Sequence, residues 1–359
     1  MKKILLGSTA LVAAAAAFAA PASAAEKIKL GLGGYYQTAF VLIDEDVANT
    51  RTDSLKQEGE VYFTGETTLD TGITVGVMVQ LEAYTDGDQV DEHYVYFDGG
   101  FGRVQLGAAD SAAYLMHYSA PTAIAGHGVD SPNFFHASQP GTHGIASNYT
   151  FLNTTSDANK LTYFTPRFAG FQLGLSYTPS LAGGLGGSSG AYGNLPDNTV
   201  GAQEKIVEIG ANYVNTFGGV DVAISAGYLT GSLEQDAAGF DDQEVFTIGT
   251  QIGFAGFTFG GGYQKNNLGV ALDEDLEQWN VGLTYGFGPF TVGAGYGYGS
   301  QTYVGGVEDE LSTIEVGGTY EMGPGISLMA GYFNYEFDST IPANRNTSDA
   351  FMIGTSFDF

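Results

Sequence analysis

The sequence predicts an all-β fold, a 16-stranded antiparallel transmembrane β-barrel, and three observations support it. Apolar and polar residues alternate with a period of two along most of the chain, as in Trp279, Val281 and Leu283 against Gln278 and Asn280. A period of two places successive side chains on opposite faces of a sheet. Tight turns alternate with longer polar loops. The strand-like segments run to about 10–15 residues, which suits a tilted membrane strand better than a globular one.

Two kinds of connection give the strand count. Tight turns fall near 70–72, 98–100, 168–170, 217–219, 254–256, 286–289 and 323–324, and longer loops near 44–56, 86–89, 110–157, 180–203, 233–240, 268–274, 303–307 and 339–347. Seven turns and eight loops make fifteen connections, and therefore sixteen strands. Tight turns on one rim and long loops on the other are typical of an outer-membrane barrel.

The N-terminus indicates secretion. Basic residues at 2–3 precede an Ala-rich apolar stretch at 4–20 and an A-x-A sequence ending at Ala24. This order predicts a cleaved signal peptide over 1–24, with the barrel over 25–359; a membrane-anchor helix is the alternative. The rest of the chain holds no apolar run near the roughly 20 residues of a membrane-spanning helix, so if it spans a membrane it must do so as a closed barrel.

Composition excludes several classes of protein. The chain has 40 Asp and Glu against 12 Lys and Arg, a net charge of −28, whereas nucleic-acid phosphates require a basic surface. It has no Cys, which excludes disulfides, thiol catalysis and Cys-ligated metals. Aromatic residues make up 13% of the chain, which argues against acidic disorder.

Aromatic residues on outward strand positions support a membrane location. Amphipathic rings collect at membrane interfaces as girdles. The residues expected there, close to the tight turns, are Tyr177, Phe217, Tyr228, Phe254, Phe257, Tyr285, Phe290 and Tyr320. A soluble propeller is the competing all-β fold, but it would show a repeat for each blade and shorter strands.

Several short sequence elements occur in a characteristic order. They are KLGLGGYY at 29–36, YVYF at 94–97, FGRVQLG at 101–107, KLTYFTP at 160–166 followed by Gly170 and Phe171, and the aromatic Phe359. With these elements the chain resembles the Gram-negative general porins, especially the trimeric porins of alphaproteobacteria. One position departs from the pattern. The family often has Arg directly after the Gly that closes the fifth strand, and here that position is Ala108.

The resemblance implies a function, a location and partners. It implies a non-enzymatic channel without cofactors, in the outer membrane of a Gram-negative bacterium, through which small hydrophilic solutes and cations diffuse passively. It also implies a homotrimer, contact with outer-membrane lipid and lipopolysaccharide, and recognition of Phe359 by the barrel-assembly machinery. The third long loop, residues 110–157, is expected to fold into the barrel and narrow the pore.

Strand parity predicts which side chains line the lumen. Sixteen strands are wide enough for an aqueous channel, and the lumen face of such a barrel is polar. Glu58 and Glu60 lie at the loop end of their strand, so a position in the outer vestibule is the alternative for them. The predicted pore-lining residues are Glu58, Glu60, Tyr62, Glu66, Glu82, Glu208 and Glu315.

The few basic residues suggest a constriction. Arg103 and Lys160 have inward parity and flank the long loop. Porin eyelets often place bases opposite loop carboxylates, so the resemblance implies that Arg103 and Lys160 pair with Asp110 and Asp130. For Lys160 the alternative is a rim position in contact with lipid headgroups.

Four of the five histidines fall in the long loop: His117, His127, His136 and His143. His117 and His127 are assigned to the constriction. Three interpretations stay open for the group: plain polar lining, a transition-metal site, or a titrating gate. The spacing matches no compact metal motif.

The excess of carboxylates predicts a preference for cations. In the first loop, Asp44, Glu45 and Asp46 either offer oxygen ligands for a weakly bound Ca²⁺ or form a solvated rim. Three other functions stay open: a substrate-specific channel, for example for sugars, a hydrolase, and a plugged structural barrel. The first would use an aromatic track of Tyr62, Tyr84 and Phe164, and the second Ser111, Ser119 or Ser138 beside the histidines.

Overall fold

The computed structural model describes residues 27–84, 89–181, 198–270 and 274–359. The first half of the barrel comprises β1 Lys29–Glu45, β2 Asp53–Thr68, β3 Thr74–Glu82, β4 His93–Gly99, β5 Gly102–Ala108, β8 Asn159–Phe164, β9 Phe171–Ser180 and β10 Gln203–Phe217. The second half comprises β11 Val220–Leu233, β12 Glu244–Phe254, β13 Phe257–Asn266, β14 Leu276–Phe287, β15 Phe290–Tyr303, β16 Val307–Gly323, β17 Ile326–Ser339 and β18 Asn346–Asp358.

These sixteen strands close an antiparallel barrel, which confirms the predicted fold class. Each strand pairs with its neighbour in chain order, and β18 pairs with β1 to close the ring, with Tyr35 opposite Asp358. Beyond that register, Gly34 and Phe359 exchange backbone hydrogen bonds of 2.9 and 3.0 Å. The predicted signal peptide, residues 1–24, lies outside the described residues.

The longest connection, residues 109–158, lies inside the barrel, and it is called the inner loop below. It contains a short helix, α1 Ala112–Leu115, and a two-stranded hairpin, β6 His127–Gly128 with β7 Ser131–Pro132. Another short helical turn, a 3₁₀ helix at Pro342–Asn344, precedes β18. The predicted loop, residues 110–157, lies one residue inside each bound of the inner loop.

Two features differ from the sequence prediction. β4, β5 and β8 have only 7, 7 and 6 residues, because the chain leaves the wall after Ala108 and rejoins it at Asn159, which is the register partner of Ala108. The predicted loop at 303–307 is a tight turn, since Tyr303 pairs with Val307 and the glycines between them adopt φ values of 90° and 80°.

The outer surface is an apolar band. On β10, Ile209 is 48% exposed while the adjacent Glu208 is 0% exposed, and this alternation recurs around the barrel. Apolar residues that face outward in this way suit hydrocarbon rather than water. Among the described residues, no helix is both long and apolar enough to cross a membrane.

Aromatic rings mark both edges of this band. At the turn rim, Phe257, Tyr285, Phe287, Phe290 and Tyr320 form a chain of rings with centroids 4.3–5.5 Å apart. Near the opposite rim, Trp279 packs against Tyr296 and Tyr298 at 5.3 and 6.0 Å. Two predicted turn-rim residues were misplaced: Tyr228 donates to Glu244 at the loop end of β12, and Tyr177 pairs with Leu161 near the loop end of β8.

Inward-facing glycines form the seat for the inner loop, and they are called the glycine belt. Several are register partners of one another across neighbouring strands, for example Gly174 with Gly210 and Gly317 with Gly331. A Cβ at Gly282 would lie 2.6 Å from the Pro121 carbonyl oxygen. The belt comprises Gly174, Gly210, Gly227, Gly249, Gly260, Gly262, Gly282, Gly293, Gly317 and Gly331.

The space between loop and wall is an apolar core, which corrects the expectation of a polar inner face throughout. Ile124 and Ile145 of the loop pack with inward residues of β1 and β16–β18, including Phe333 at 0% exposed. On the other side, Leu152 packs with Leu229 and neighbours on β10–β12. Parity identifies the inward face, but it does not tell whether water or the inner loop covers that face.

The glycine belt generates a test. Gly249→Ala would place its Cβ against the Tyr118 carbonyl oxygen, which displaces the loop and should cost about 1–3 kcal/mol in the free energy of unfolding. The matched control is Gly286→Ala, whose nearest neighbour would lie at 3.9 Å. Unfolding in denaturant measures both. Equal stability of the two variants would contradict the role of the belt.

Candidate functional site: the lumen between the inner loop and the wall

Asp130 is the centre of a hydrogen-bond network that fixes the inner loop to the wall. Its carboxylate accepts from the Thr150 amide at 2.8 Å and the Thr150 hydroxyl at 2.7 Å, and also from Ser119 Oγ and Asn280 Nδ2. Asn280 lies on β14 and in turn accepts from the Ala120 amide at 3.1 Å. Asp130 thus joins two segments of the inner loop, at Ser119 and Thr150, to Asn280 of the wall. Because it is only 8% exposed, it does not line an opening.

Two predicted pore-lining carboxylates prove to be anchors for the loop. Glu208 on β10 is 0% exposed and accepts from Thr155 Oγ1 at 2.7 Å, and Glu315 on β16 is 3% exposed and accepts from the Val129 amide at 2.7 Å. Their inward parity was predicted correctly. They do not meet lumen water, because loop backbone and hydroxyl donors cover them.

Three of the loop histidines, His127, His136 and His143, are buried between the inner loop and the wall, which corrects the assignment of His127 to a constriction, whereas His117 is half-buried. His127 stacks on Phe134 at 4.3 Å and contacts His136 with a 3.0 Å nitrogen–nitrogen distance. Burial lowers the pKa of His127 to about 3 and that of His136 to about 2, with Lys56 adding repulsion, so both rings stay neutral near neutral pH. Burial also lowers the pKa of His117, whose Nε2 lies 3.0 Å from Thr150 Oγ1.

Three serines of the inner loop have structural partners as well. Ser111 caps α1 by accepting from the Tyr114 amide, Ser119 donates to Asp130, and Ser138 donates to Glu45 at 2.8 Å. Each of these serines, the nucleophile candidates of the hydrolase alternative, is thus bonded to a group other than histidine. Glu45 also accepts from Asn346 at 3.1 Å, and Ca²⁺ at Asp44, Glu45 and Asp46 stays a prediction.

The inner faces of β2 and β3 and the following loop carry a partly exposed group of carboxylates, the acidic wall. It consists of Glu58, Glu60, Glu66, Glu82, Asp91 and Glu92. Asp110 and Asp157, at the two ends of the inner loop, face it. Carboxylate oxygens come within 4.8 Å of one another in two groups, Glu60 with Glu82 and Asp91, and Glu92 with Asp110 and Asp157.

Tyrosines and amides support the acidic wall. Tyr35 donates to Glu58 and, at 3.2 Å, to Glu60, while Tyr96 donates to Glu66. Gln80 Nε2 donates to Glu92 at 2.6 Å, and the Asp110 amide donates to the other oxygen of Glu92 at 2.8 Å. Tyr62, predicted to line the pore, lies 6.3 Å from Tyr35 between these carboxylates.

Crowding of carboxylates shifts their titration. Burial, followed by repulsion from neighbouring carboxylates, raises the pKa of Asp91 to about 8. Burial raises the pKa of Glu92 to about 7, although the Asp110 amide opposes the shift. Burial and the charge of Glu92 also hold the pKa of Asp110 well above its usual range. These groups bind protons more tightly in the folded chain, so their contribution to stability falls as pH rises from about 4 to 8.

The predicted pairing of bases with loop carboxylates is not formed. Arg103 Nε lies 3.2 Å from Asp98, its cross-strand partner, and the guanidinium sits 4.3 Å over the Tyr96 ring. Lys160 points inward as predicted, but its ammonium donates to backbone carbonyls of Ala109, Ser156 and Ala158. The reason is that each base has a nearer partner: Arg103 has a carboxylate on the adjacent strand β4, and Lys160 has the backbone carbonyls at the two ends of the inner loop.

Sequence reasoning missed three carboxylates at this site, Asp91, Glu92 and Asp157. Asp91 and Glu92 directly precede β4, just beyond the loop predicted near 86–89, and no strand parity was assigned to them. One sequence signal could have found Asp91 and Glu92: they stand directly before the first residue of β4, where side chains of a loop lie at the mouth of the barrel.

Comparisons with known proteins agree with this architecture. The sequence profile of the Gram-negative porin family matches residues 9–340. Uncharacterized proteins of Rickettsia typhi and Rickettsia prowazekii are each 25% identical to the chain over 216 and 218 residues, 51% of this chain and 49% of theirs. The chain thus spans about half the length of these curated relatives.

Solved structures show the same fold. OmpT of Vibrio cholerae, in its trimer form, has a TM-score of 0.63 at 15% identity, covering 93% of this chain and 100% of that one. An anion-selective porin from Comamonas acidovorans has the same TM-score, identity and coverage. At this identity the likeness shows the fold alone.

A closed barrel of sixteen strands with an apolar outer band and a long loop folded inside defines an outer-membrane barrel of the porin class. The family profile covers most of the chain, and the chain belongs to the Gram-negative porin family. Its location is the outer membrane.

The Asp130 network predicts a large loss on truncation. Asp130→Ala removes the acceptor of buried donors of Ser119 and Thr150 and one of the acceptors of the Asn280 amide, so the free energy of unfolding should fall by about 2–5 kcal/mol. The control is Asp338→Ala, which removes an exposed ion pair with Arg345 worth about 0–1 kcal/mol. Denaturant unfolding in detergent measures both changes, and similar losses for the two would refute the network.

Proposed function

We propose that the chain forms a water-filled channel for passive diffusion of small hydrophilic solutes and ions, with a preference for cations. The acidic wall carries the proposal: six carboxylates of β2, β3 and the following loop face Asp110 and Asp157, while Arg103 is already paired with Asp98. A passage with more carboxylates than free bases attracts cations. The anion-selective relative does not oppose this, because inward side chains rather than the fold determine the sign of selectivity.

The same proposal covers assembly and partners. The Vibrio cholerae structure described as a trimer supports a homotrimer for this chain. Outer-membrane lipid and lipopolysaccharide are the partners of the apolar band and its rims. Phe359, 64% exposed beside the closing strand pair, is the element proposed for recognition by the assembly machinery. Residues 1–24 are proposed to be removed as a signal peptide, and no cofactor is assigned.

Reversal potentials test the sign of selectivity. In a planar bilayer under a KCl gradient, the wild type should pass K⁺ in preference to Cl⁻. Removing one carboxylate at roughly 6 Å from an ion in water changes its energy by about 0.7 kcal/mol, or about threefold in the ion ratio, so Glu60→Gln should lower the preference. Glu336→Gln, an exposed position on the outer face of β17, is the matched control. Anion preference in the wild type would refute the proposal.

The raised pKa values predict a pH dependence. As pH rises from about 6 to 9, Asp91 and Glu92 lose protons with pKa values of about 8 and about 7, so negative charge and cation preference should both increase. The double variant Asp91→Asn with Glu92→Gln should flatten this rise. A wild-type selectivity that is constant over this range would show that these carboxylates do not border the ion path.

A substrate-specific channel is the second candidate, because rings lie among the carboxylates. Tyr35 and Tyr62 lie 6.3 Å apart, and Tyr94 and Tyr96 lie 6.5 Å apart on the neighbouring wall. Tyr84 of the predicted aromatic track is instead 61% exposed beyond the end of β3. Concentration-dependent block of single-channel current by a sugar would favour this candidate. A barrel that carries no current would indicate a plugged structural role.

A further inference from the structure

Both ends of the inner loop converge on one side chain. The Lys160 ammonium donates to the carbonyl of Ala109, where the chain leaves β5, and to those of Ser156 at 2.5 Å and Ala158 at 2.9 Å, where it returns to β8. Lys160 is 5% exposed. It is therefore a contact between two chain segments about 50 residues apart.

An ammonium is suited to this position. It has three donors and no acceptor, so it can satisfy three convergent carbonyls at once. A buried carbonyl that loses its donor costs stability, and hydrogen bonds to a charged group are the stronger kind. The charge is balanced nearby, because Glu208, Asp110, Asp157 and Glu92 all interact electrostatically with Lys160.

The clamped segments carry the carboxylates that face the acidic wall. Asp110 follows the first clamped residue, Ala109, and Asp157 lies between the clamped Ser156 and Ala158. The direction in which each loop end leaves the wall therefore sets how far these two carboxylates stand from Glu60, Asp91 and Glu92.

We propose that Lys160 is a positioning residue that clamps the two ends of the inner loop and thereby sets the width and steadiness of the passage. It acts through backbone carbonyls and not as a lumen charge. The inference deepens the proposed channel function and rests on it.

Three variants test the clamp by the donors they retain. Lys160→Met has none, Lys160→Gln has an amide with two, and Lys160→Arg keeps the charge. Lys265→Met is the matched control, since it removes a lysine from an exposed ion pair with Asp275 and Glu277. In single-channel recording in planar bilayers, Lys160→Met should show about two-fold or greater open-channel current noise and should close at a lower voltage than wild type. Lys160→Gln should show an intermediate effect, and Lys160→Arg should be closer to wild type. The control Lys265→Met should not change.

Hydrogen exchange in detergent gives a readout that needs no current. Backbone amides of 109–117 and 150–158 should exchange at least tenfold faster in Lys160→Met than in wild type, with strand amides unchanged. If Met does not assemble, Gln carries both comparisons. The clamp would be overturned if Lys160→Met and Lys160→Gln both kept wild-type current noise and wild-type amide exchange. It would also be overturned if these variants changed only the ion selectivity. A wild type without current but with the predicted exchange would refute the channel and leave the clamp standing.

Discussion

The close packing of a long loop against the inward-facing glycines of the barrel wall is the constraint on which the rest of the structure depends. Where the glycine belt runs, loop backbone reaches the strands, as Pro121 does at Gly282. Glycine within a strand costs about 0.5–1 kcal/mol relative to alanine. The loop offsets that cost with the apolar core and the Asp130 network, and the carboxylates of the acidic wall stay partly exposed beside it.

The packing of the inner loop also places inward-facing glutamates in two different environments. Glu315 and Glu60 both face inward on their strands. Glu315 accepts a hydrogen bond from the Val129 amide, whereas Glu60 stays partly exposed among other carboxylates. The difference lies in what covers each position. A carboxylate under the loop accepts from loop donors, whereas a carboxylate beside the loop stays partly exposed, and only the second kind is proposed to attract cations.

The sequence predicted the strand count, the alternation and the long loop, because each is a local pattern of period or length. It predicted the inward direction of Glu208, Glu315 and Lys160 for the same reason. It did not predict their partners, since the Glu315 carboxylate meets Val129, 186 residues away, through folding of the loop alone. His127 was misassigned for a related cause: the loop was expected inside the barrel, but its sequence does not show which of its side chains pack against the wall and which face the pore.

The closing pair of strands has a consequence for biogenesis. β1 meets the strand farthest from it along the chain, and the Asp46 amide bonds Asn346, 300 residues away. Until β18 is available, the first strand and the leading edge of the growing sheet both present unpaired backbone groups, which lipid cannot solvate. Insertion therefore depends on a complete chain: without β18, both β1 and β17 keep an open edge that lipid cannot satisfy.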